Sequence, residues 1–112
     1  MMKQLLIIGH NFPEPSTTAA GGRIIHLIEL FLEQGFTITF ASTALKSERS
    51  ADLQSIRIKE VSIKLNDPSF DEFLKDLQPN VVMFDRFITE EQFGWRVAEV
   101  CPKSLKILDT ED

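Results

Sequence analysis

The chain has 112 residues, of which 43% are hydrophobic and 26% charged, and its formal net charge is −5. These values indicate one globular domain and disfavour a nucleic-acid-binding protein, which would need a clustered basic surface. One cysteine excludes an internal disulfide and favours the reducing cytoplasm, and the short apolar N-terminus predicts neither a signal peptide nor a membrane span.

Strands and helices are predicted to alternate from the start of the chain. A continuous apolar run predicts a strand at residues 3–9, buried on both faces. A broad apolar face opposite a polar stripe predicts a helix over residues 24–34, which Gly35 is suited to end. His26 falls on the polar stripe and is expected to face water. Alternating β-forming residues predict the second strand at residues 36–40.

The middle of the chain continues this alternation. Residues 42–54 are polar with a weak helical pattern, which predicts a short helix or a loop. Residues 56–59, continuing toward Ile63, alternate again and carry charges along one side, as edge strands do. Asp67 and Pro68 are typical of a helix start, and the core stripe of that helix is Phe70, Phe73, Leu74 and Leu77.

The last part of the chain predicts three more elements after Pro79 ends the second helix. Residues 81–84 form an apolar run that predicts another central strand. Residues 89–92 read Thr-Glu-Glu-Gln, a capping box that predicts the start of a third helix. Cys101 is expected to pack as a small hydrophobic residue near the end of that helix. Residues 105–108 predict the last strand.

This succession of elements predicts the fold class. Strands that alternate with helices indicate a parallel sheet covered on both faces and connected by right-handed crossovers. We therefore expect an α/β, three-layer, Rossmann-like open sheet of about five strands, in the order 3-2-1-4-5, with residues 1–112 in one domain. A ligand is expected in the crevice between the first and fourth strands, where the strand order reverses.

The candidate ligand-binding residues lie at the carboxyl ends of the predicted strands. Gly21 and Gly22 come just before the helix predicted over residues 24–34, where free backbone N–H groups can bind an anion. Alternatively, the two glycines only make the backbone more flexible where the helix begins. The pair forms neither a dinucleotide fingerprint nor a P-loop. The other candidates for binding substrate or phosphate are His10, Asn11, Arg23, Asp85 and Arg86.

These ends have other interpretations as well. Asp85 and Arg86 are compatible with an ordinary charged pair that closes a strand, and a lone acid at a strand end is more often structural than catalytic. The acidic residues 109–112 suit a divalent cation, but chain ends are commonly acidic and frayed, and we predict no metal site. A response-regulator receiver domain has this size and topology, but the paired acids and the lysine that its chemistry needs are missing here.

Several stretches together indicate a family. The first loop reads Pro-Glu-Pro-Ser at residues 13–16 and Gly-Gly-Arg at residues 21–23. Further on, the chain reads Asp-Arg-Phe at residues 85–87, Thr-Glu-Glu-Gln-Phe-Gly-Trp-Arg at residues 89–96 and Asp-Thr-Glu-Asp at residues 109–112. With the flanking strands and helices, these motifs resemble the N-terminal Rossmann-like domain of GT-B glycosyltransferases, especially the family-four type.

The resemblance implies a role in sugar transfer. In this family the N-terminal domain mainly binds the acceptor, a second domain binds the nucleotide-sugar donor, and transfer occurs between them. Gly21 and Gly22 would then lie beneath the donor phosphates, the nucleotide sugar would be a co-substrate, and no metal or other cofactor would be needed. The chain would be a partial N-terminal domain without its donor domain, inactive alone, with its catalytic residues unidentified. His10 matches by position only and is not assigned to catalysis.

A function of another class stays open. The chain would then be a stand-alone flavodoxin-like module that binds a small anion or a protein partner without catalysis. If the chain belongs to a glycosyltransferase, its expected partners are a nucleotide-sugar donor and an unidentified acceptor. Neither binding to nucleic acid nor a membrane span is expected. In both cases the last strand leaves an exposed sheet edge through which the chain can associate with itself.

Overall fold

A computed structural model describes residues 3–14, 19–46 and 52–109. Five parallel strands form one sheet in the order β3-β2-β1-β4-β5, which confirms the predicted α/β open sheet and its strand order. The elements in chain order are β1 (Lys3–Gly9), α1 (Ala19–Glu33), β2 (Phe36–Ser42), a short 3-10 helix (Leu53–Ile56), β3 (Lys59–Ser62), α2 (Pro68–Leu77), β4 (Val81–Asp85), α3 (Phe87–Val100) and β5 (Leu105–Asp109).

The sheet separates two apolar cores. Successive residues of a strand point to opposite faces, so Leu5 and Ile7 pack on the side of α1, while Leu6 and Ile8 pack on the side of α2 and α3. All four side chains are fully buried, as the apolar run predicted. A strand buried on both faces must lie inside the sheet, and β1 accordingly pairs with both β2 and β4.

Helix α1 begins earlier than the apolar pattern predicted. It starts at Ala19, so Gly21 and Gly22 lie within its first turns instead of before it. The pattern missed these turns because residues 19–22 have only small side chains, which mark no apolar face. The other end is as predicted, since Gly35 follows the helix with a φ of 86°, which glycine adopts without strain. His26 is exposed.

The third strand was predicted to start too early. Leu53–Ile56 is a 3-10 helix and Arg57 has a φ of 65°, so the alternation at residues 56–59 belongs mostly to a turn. The N–H of Ile58 donates to the carbonyl of Leu53 at 2.9 Å and closes this turn. Alternating apolar residues predict a strand only where the backbone is extended, and that is the case from Lys59 onward. Part of the polar segment before it, residues 47–51, lies outside the described residues.

The two later helices show one correct and one wrong prediction of a helix start. The Asp67 carboxylate accepts from the N–H of Ser69 at 2.8 Å and caps α2, with Pro68 in the first position, as predicted. The capping box at residues 89–92 is wrong, because α3 already begins at Phe87. Thr89 instead lies in the first turn, where its hydroxyl donates to the carbonyl of Asp85 at 2.8 Å.

Strand β5 forms one edge of the sheet. Leu105 is 62% exposed and Leu108 is 38% exposed, whereas the residues of its neighbour β4 are all buried. Cys101, just before β5, is buried as predicted. Within the described ranges, none of the helices combines the length and the apolar character that a membrane crossing requires.

Candidate functional site

The carboxyl ends of the strands bring the candidate residues to one edge of the sheet. The strand order reverses between β1 and β4, and this is where a crevice opens in an open α/β sheet. His10 directly follows β1, and Asp85 is the last residue of β4. Asp109 ends β5 and is the register partner of Asp85. The first turns of α1 begin at this same edge, because α1 follows the loop after β1.

Both aspartates face the side of the sheet that α1 covers. Asp85 follows Met83 by two residues on β4, and Asp109 follows Ile107 by two residues on β5; Met83 and Ile107 belong to the core on the α1 side. Arg23, near the N-terminus of α1, forms an ion pair with the Asp109 carboxylate. This ion pair connects the helix to the edge strand at the level of the crevice.

The two carboxylates have different surroundings. Asp109 is paired with Arg23, whereas the Asp85 carboxylate makes no hydrogen bond or ion pair with any residue in the described part of the chain. Asp85 is only 9% exposed. This burial raises the pKa of Asp85; the positive charge of Arg86 opposes the rise, the Asp109 charge adds to it, and His10 and Arg23 oppose it more weakly. Of the two, Asp85 is thus a desolvated carboxyl without an internal partner.

Arg86 makes a one-residue connection between β4 and α3. Its φ of 80° and ψ of 153° fall in a region that glycine occupies and other residues avoid. Its N–H donates to the carbonyl of Asp109 at 2.8 Å, and its own carbonyl accepts from the hydroxyl of Thr89 at 3.0 Å. These contacts hold the strained conformation in place. The guanidinium Nε is buried and has no hydrogen-bond partner in the described part of the chain.

The glycines near the crevice have different roles. A Cβ at Gly22 would meet nothing within 4 Å, so open space lies beside the N-terminal turns of α1. A Cβ at Gly9 would overlap the buried ring of Phe40, so Gly9 is required for packing. The structure therefore brings His10, Arg23 and Arg86 within electrostatic reach of Asp85, and Arg23 lies in the first turns of α1. Asn11 follows His10 and is exposed.

Two features of this edge were not expected from the sequence. Asp109 was expected at this edge as the first residue of an acidic tail, but not as the ion-pair partner of Arg23. A second ion pair joins Lys46 to Glu60 at 2.7 Å beside a cavity of about 220 Å³ whose lining includes Phe12. The sequence did contain a sign that Asp109 belongs to the site. Like Asp85, it directly follows a predicted apolar strand.

A further cavity, of about 510 Å³, lies at the opposite edge, where the strands begin. Its lining includes Asn80, Cys101 and Lys103. Burial raises the pKa of the Cys101 thiol, which fits a packed side chain better than a nucleophile. Because ligands of open α/β sheets bind at the carboxyl ends of the strands, we place the candidate site at the other edge.

The described residues form no metal centre, and the comparisons with known proteins show no family. Across residues 3–14, 19–46 and 52–109, no three His, Cys, Asp or Glu side chains are grouped to hold a metal ion. The acidic residues 110–112 lie outside the described residues. No family model matches this chain, and no curated protein matches it either.

Proposed function

We propose that this chain is the N-terminal, acceptor-side domain of a glycosyltransferase that takes its sugar from a nucleotide-sugar donor. The observation that carries the proposal is that the first turns of α1, with open space beside Gly22, lie at the same sheet edge as the desolvated carboxyl of Asp85. Transfer of a sugar to a hydroxyl group needs a place for the departing diphosphate and a place for the hydroxyl. The first suits a helix N-terminus and the second suits a carboxylate.

On the phosphate side of the crevice, the first turns of α1 and Arg86 provide the groups that would bind an anion. The first N–H groups of a helix have no partner within it, and together with the helix dipole they favour an anion. Open space beside Gly22 leaves room for a phosphate to approach them. Arg86 adds a half-buried guanidinium, whereas the charge of Arg23 is shared with Asp109. These groups would stabilise negative charge on a leaving diphosphate.

The proposal includes a second domain, which would hold the nucleotide part of the donor. By this reasoning, residues 1–112 alone bind a nucleotide sugar weakly and transfer nothing. A cytoplasmic location is part of the proposal, since nucleotide sugars and a free, buried thiol both fit a reducing compartment. No cofactor besides the nucleotide sugar is invoked.

Titration calorimetry with UDP-glucose and GDP-mannose tests the phosphate side. The wild type is expected to bind at least one of them, and Gly22→Val to bind it at least tenfold more weakly, because a branched side chain fills the space beside the helix N-terminus. Glu29→Val, which places the same side chain on the exposed face of the same helix, is the matched control.

Two results would contradict the proposal. If Gly22→Val and the wild type bind equally, the helix N-terminus has no part in binding. If the chain alone transfers sugar from either donor to water or to a simple glycoside, its dependence on a second domain is refuted.

A second candidate is a stand-alone module that binds a small anion. It is favoured by the two cores, one on each face of the sheet, which this chain forms from its own residues. Inorganic phosphate distinguishes the two candidates in the same calorimeter. A module for small anions binds phosphate as tightly as the nucleotide sugars, whereas the acceptor-side domain binds phosphate much more weakly.

A further inference from the structure

The carboxyl of Asp85 is an exception to the way buried polar groups are normally held. Asp85 is 9% exposed, and its side chain has no hydrogen-bond or ion-pair partner within the described ranges. Its oxygens are not among the completely enclosed, unsatisfied atoms, so the carboxyl group keeps some exposure through which an external group can reach it. Buried polar groups are nearly always paired, because leaving one unpaired is costly. The unpaired carboxyl therefore calls for a donor from outside the chain.

The charged groups around Asp85 do not supply this donor. Arg23 on α1 is paired with Asp109 on β5. Arg86 adjoins Asp85 in the chain, but its N–H is directed at the Asp109 carbonyl, and its guanidinium acts on Asp85 through its charge without a hydrogen bond to it. His10, at the end of β1, acts on Asp85 only through its charge. Every neighbour that faces the carboxyl from α1, β1, β5 and the β4–α3 connection is thus accounted for, without a hydrogen bond to it.

The same neighbours restrict what the external donor can be. A phosphate or another anion is disfavoured at this point, because Asp85 and Asp109 lie side by side as register partners. A ligand cation is disfavoured as well, since Arg23 and Arg86 already lie within electrostatic reach of Asp85. An uncharged hydroxyl group avoids both repulsions and donates the hydrogen bond that the carboxylate lacks.

From these contacts we infer that Asp85 is the residue that binds a hydroxyl group of an uncharged, polyhydroxylated acceptor. The inference rests on the proposed function and divides the crevice into two parts. The helix N-terminus with Gly22 receives the anionic part of the donor, and the β4 end receives the acceptor hydroxyl. Asp109 does not share this role, because its carboxylate is engaged by Arg23.

The test uses uncharged probes, so that it is independent of the donor. The methyl glycosides of glucose, mannose, galactose and N-acetylglucosamine are titrated into isotopically labelled chain, and amide shifts are followed by NMR. At least one glycoside is expected to shift the amides of His10 and Asp85 in the wild type. Asp85→Asn is expected to bind it roughly tenfold or more weakly, as for a lost hydrogen bond to a charged group. Asp109→Asn, a matched change on the adjacent strand, is expected to weaken it less than threefold.

The outcomes separate this inference from the proposed function. Glycosides that bind the wild type and Asp85→Asn equally, or that do not bind the wild type, overturn the role of Asp85. That result would leave nucleotide-sugar binding at Gly22 standing. Conversely, glycoside binding that depends on Asp85, without any binding of UDP-glucose or GDP-mannose, supports hydroxyl recognition and refutes the donor part of the proposed function. The amide spectra also show whether each variant is folded.

Discussion

Asp85 and Asp109 are partners across two parallel strands, but their replacement by asparagine is expected to change stability in opposite directions. The pKa of Asp85 is raised above its ordinary value of 3.8 by burial. The folded state therefore binds more protons than the unfolded state just above that pH, and stability falls as pH rises through this window. At pH 7 the ionised Asp85 destabilises the fold, so Asp85→Asn is expected to be more stable than the wild type in urea denaturation.

The stability of Asp85→Asn is compared with that of the wild type at several pH values and with that of Asp109→Asn. The advantage of Asp85→Asn over the wild type should shrink as pH falls from 7 toward 4, because the wild-type carboxyl then becomes protonated. Asp109→Asn breaks the ion pair with Arg23 and should lose about 1 kcal/mol at pH 7. If Asp85→Asn is destabilised as much as Asp109→Asn, then Asp85 has an internal structural role and is not available to a ligand.

At the scale of elements, the connection between β4 and α3 is expected to store strain in Arg86. Its backbone lies in a glycine region, and such conformations raise the free energy of the folded state by about 1–3 kcal/mol. Glycine removes this strain, but it also loses more conformational entropy on folding than arginine does, which offsets part of the gain in stability. Arg86→Gly is therefore expected to gain about 1 kcal/mol in denaturant unfolding, while nucleotide-sugar binding weakens because the guanidinium is lost.

Alanine at the same position separates the backbone from the side chain. Arg86→Ala removes the guanidinium but keeps a Cβ in the strained conformation. It should weaken binding as Arg86→Gly does, without the gain in stability. Equal stabilities of the glycine and alanine variants would show that the connection is unstrained and that Arg86 acts through its side chain alone.

The same elements show what the sequence could and could not predict. β1 and the start of α2 were predicted well because their signals are local: an apolar run in one case, Asp67 followed by Pro68 in the other. The starts of β3 and α3 were missed because they depend on single residues with positive φ, Arg57 and Arg86. Side-chain patterns carry no information about such turns unless glycine or asparagine marks them.

The candidate site also has features that the sequence could predict and features that it could not. The meeting of His10 and Asp85 at one edge follows from parallel strands and their order, so it was predictable from the sequence. The ion pair between Arg23 and Asp109 joins residues 86 positions apart and requires the actual orientation of α1 over the sheet. The burial of Asp85 likewise depends on packing around the strand end. Its chemical character could therefore be recognised only in the structure.

At the scale of the whole molecule, the two faces of the sheet are covered unequally. The core on one face is built with α1 and the short 3-10 helix, and the core on the other with α2 and α3. Strand β5 is poorly covered, with most of its residues exposed or half-buried. Its edge is also unprotected by proline or by a bulge within the described residues, and Lys106 is its single charged residue before Asp109.

The hydrogen bonds of β5 indicate which backbone groups are available at this edge. The N–H of Leu105 donates to the carbonyl of Asn80 at 2.9 Å, and the carbonyl of Asp109 accepts from Arg86. In a parallel pair, alternate residues direct both backbone groups to the neighbouring strand. Leu105, Ile107 and Asp109 therefore bond toward β4, and the N–H and C=O groups of Lys106 and Leu108 point outward.

We expect two copies of the chain to pair antiparallel through these outward groups, with Ile107 opposite its own copy. Sedimentation equilibrium should then show a concentration-dependent dimer. Leu108→Pro should abolish it, because proline removes an outward N–H that β4 does not use, so the fold itself is preserved. Leu108→Ala keeps the N–H and should still dimerise, which separates backbone pairing from loss of the side chain. A wild type that stays monomeric at high concentration contradicts the pairing, and so does a Leu108→Pro variant that dimerises as well as Leu108→Ala.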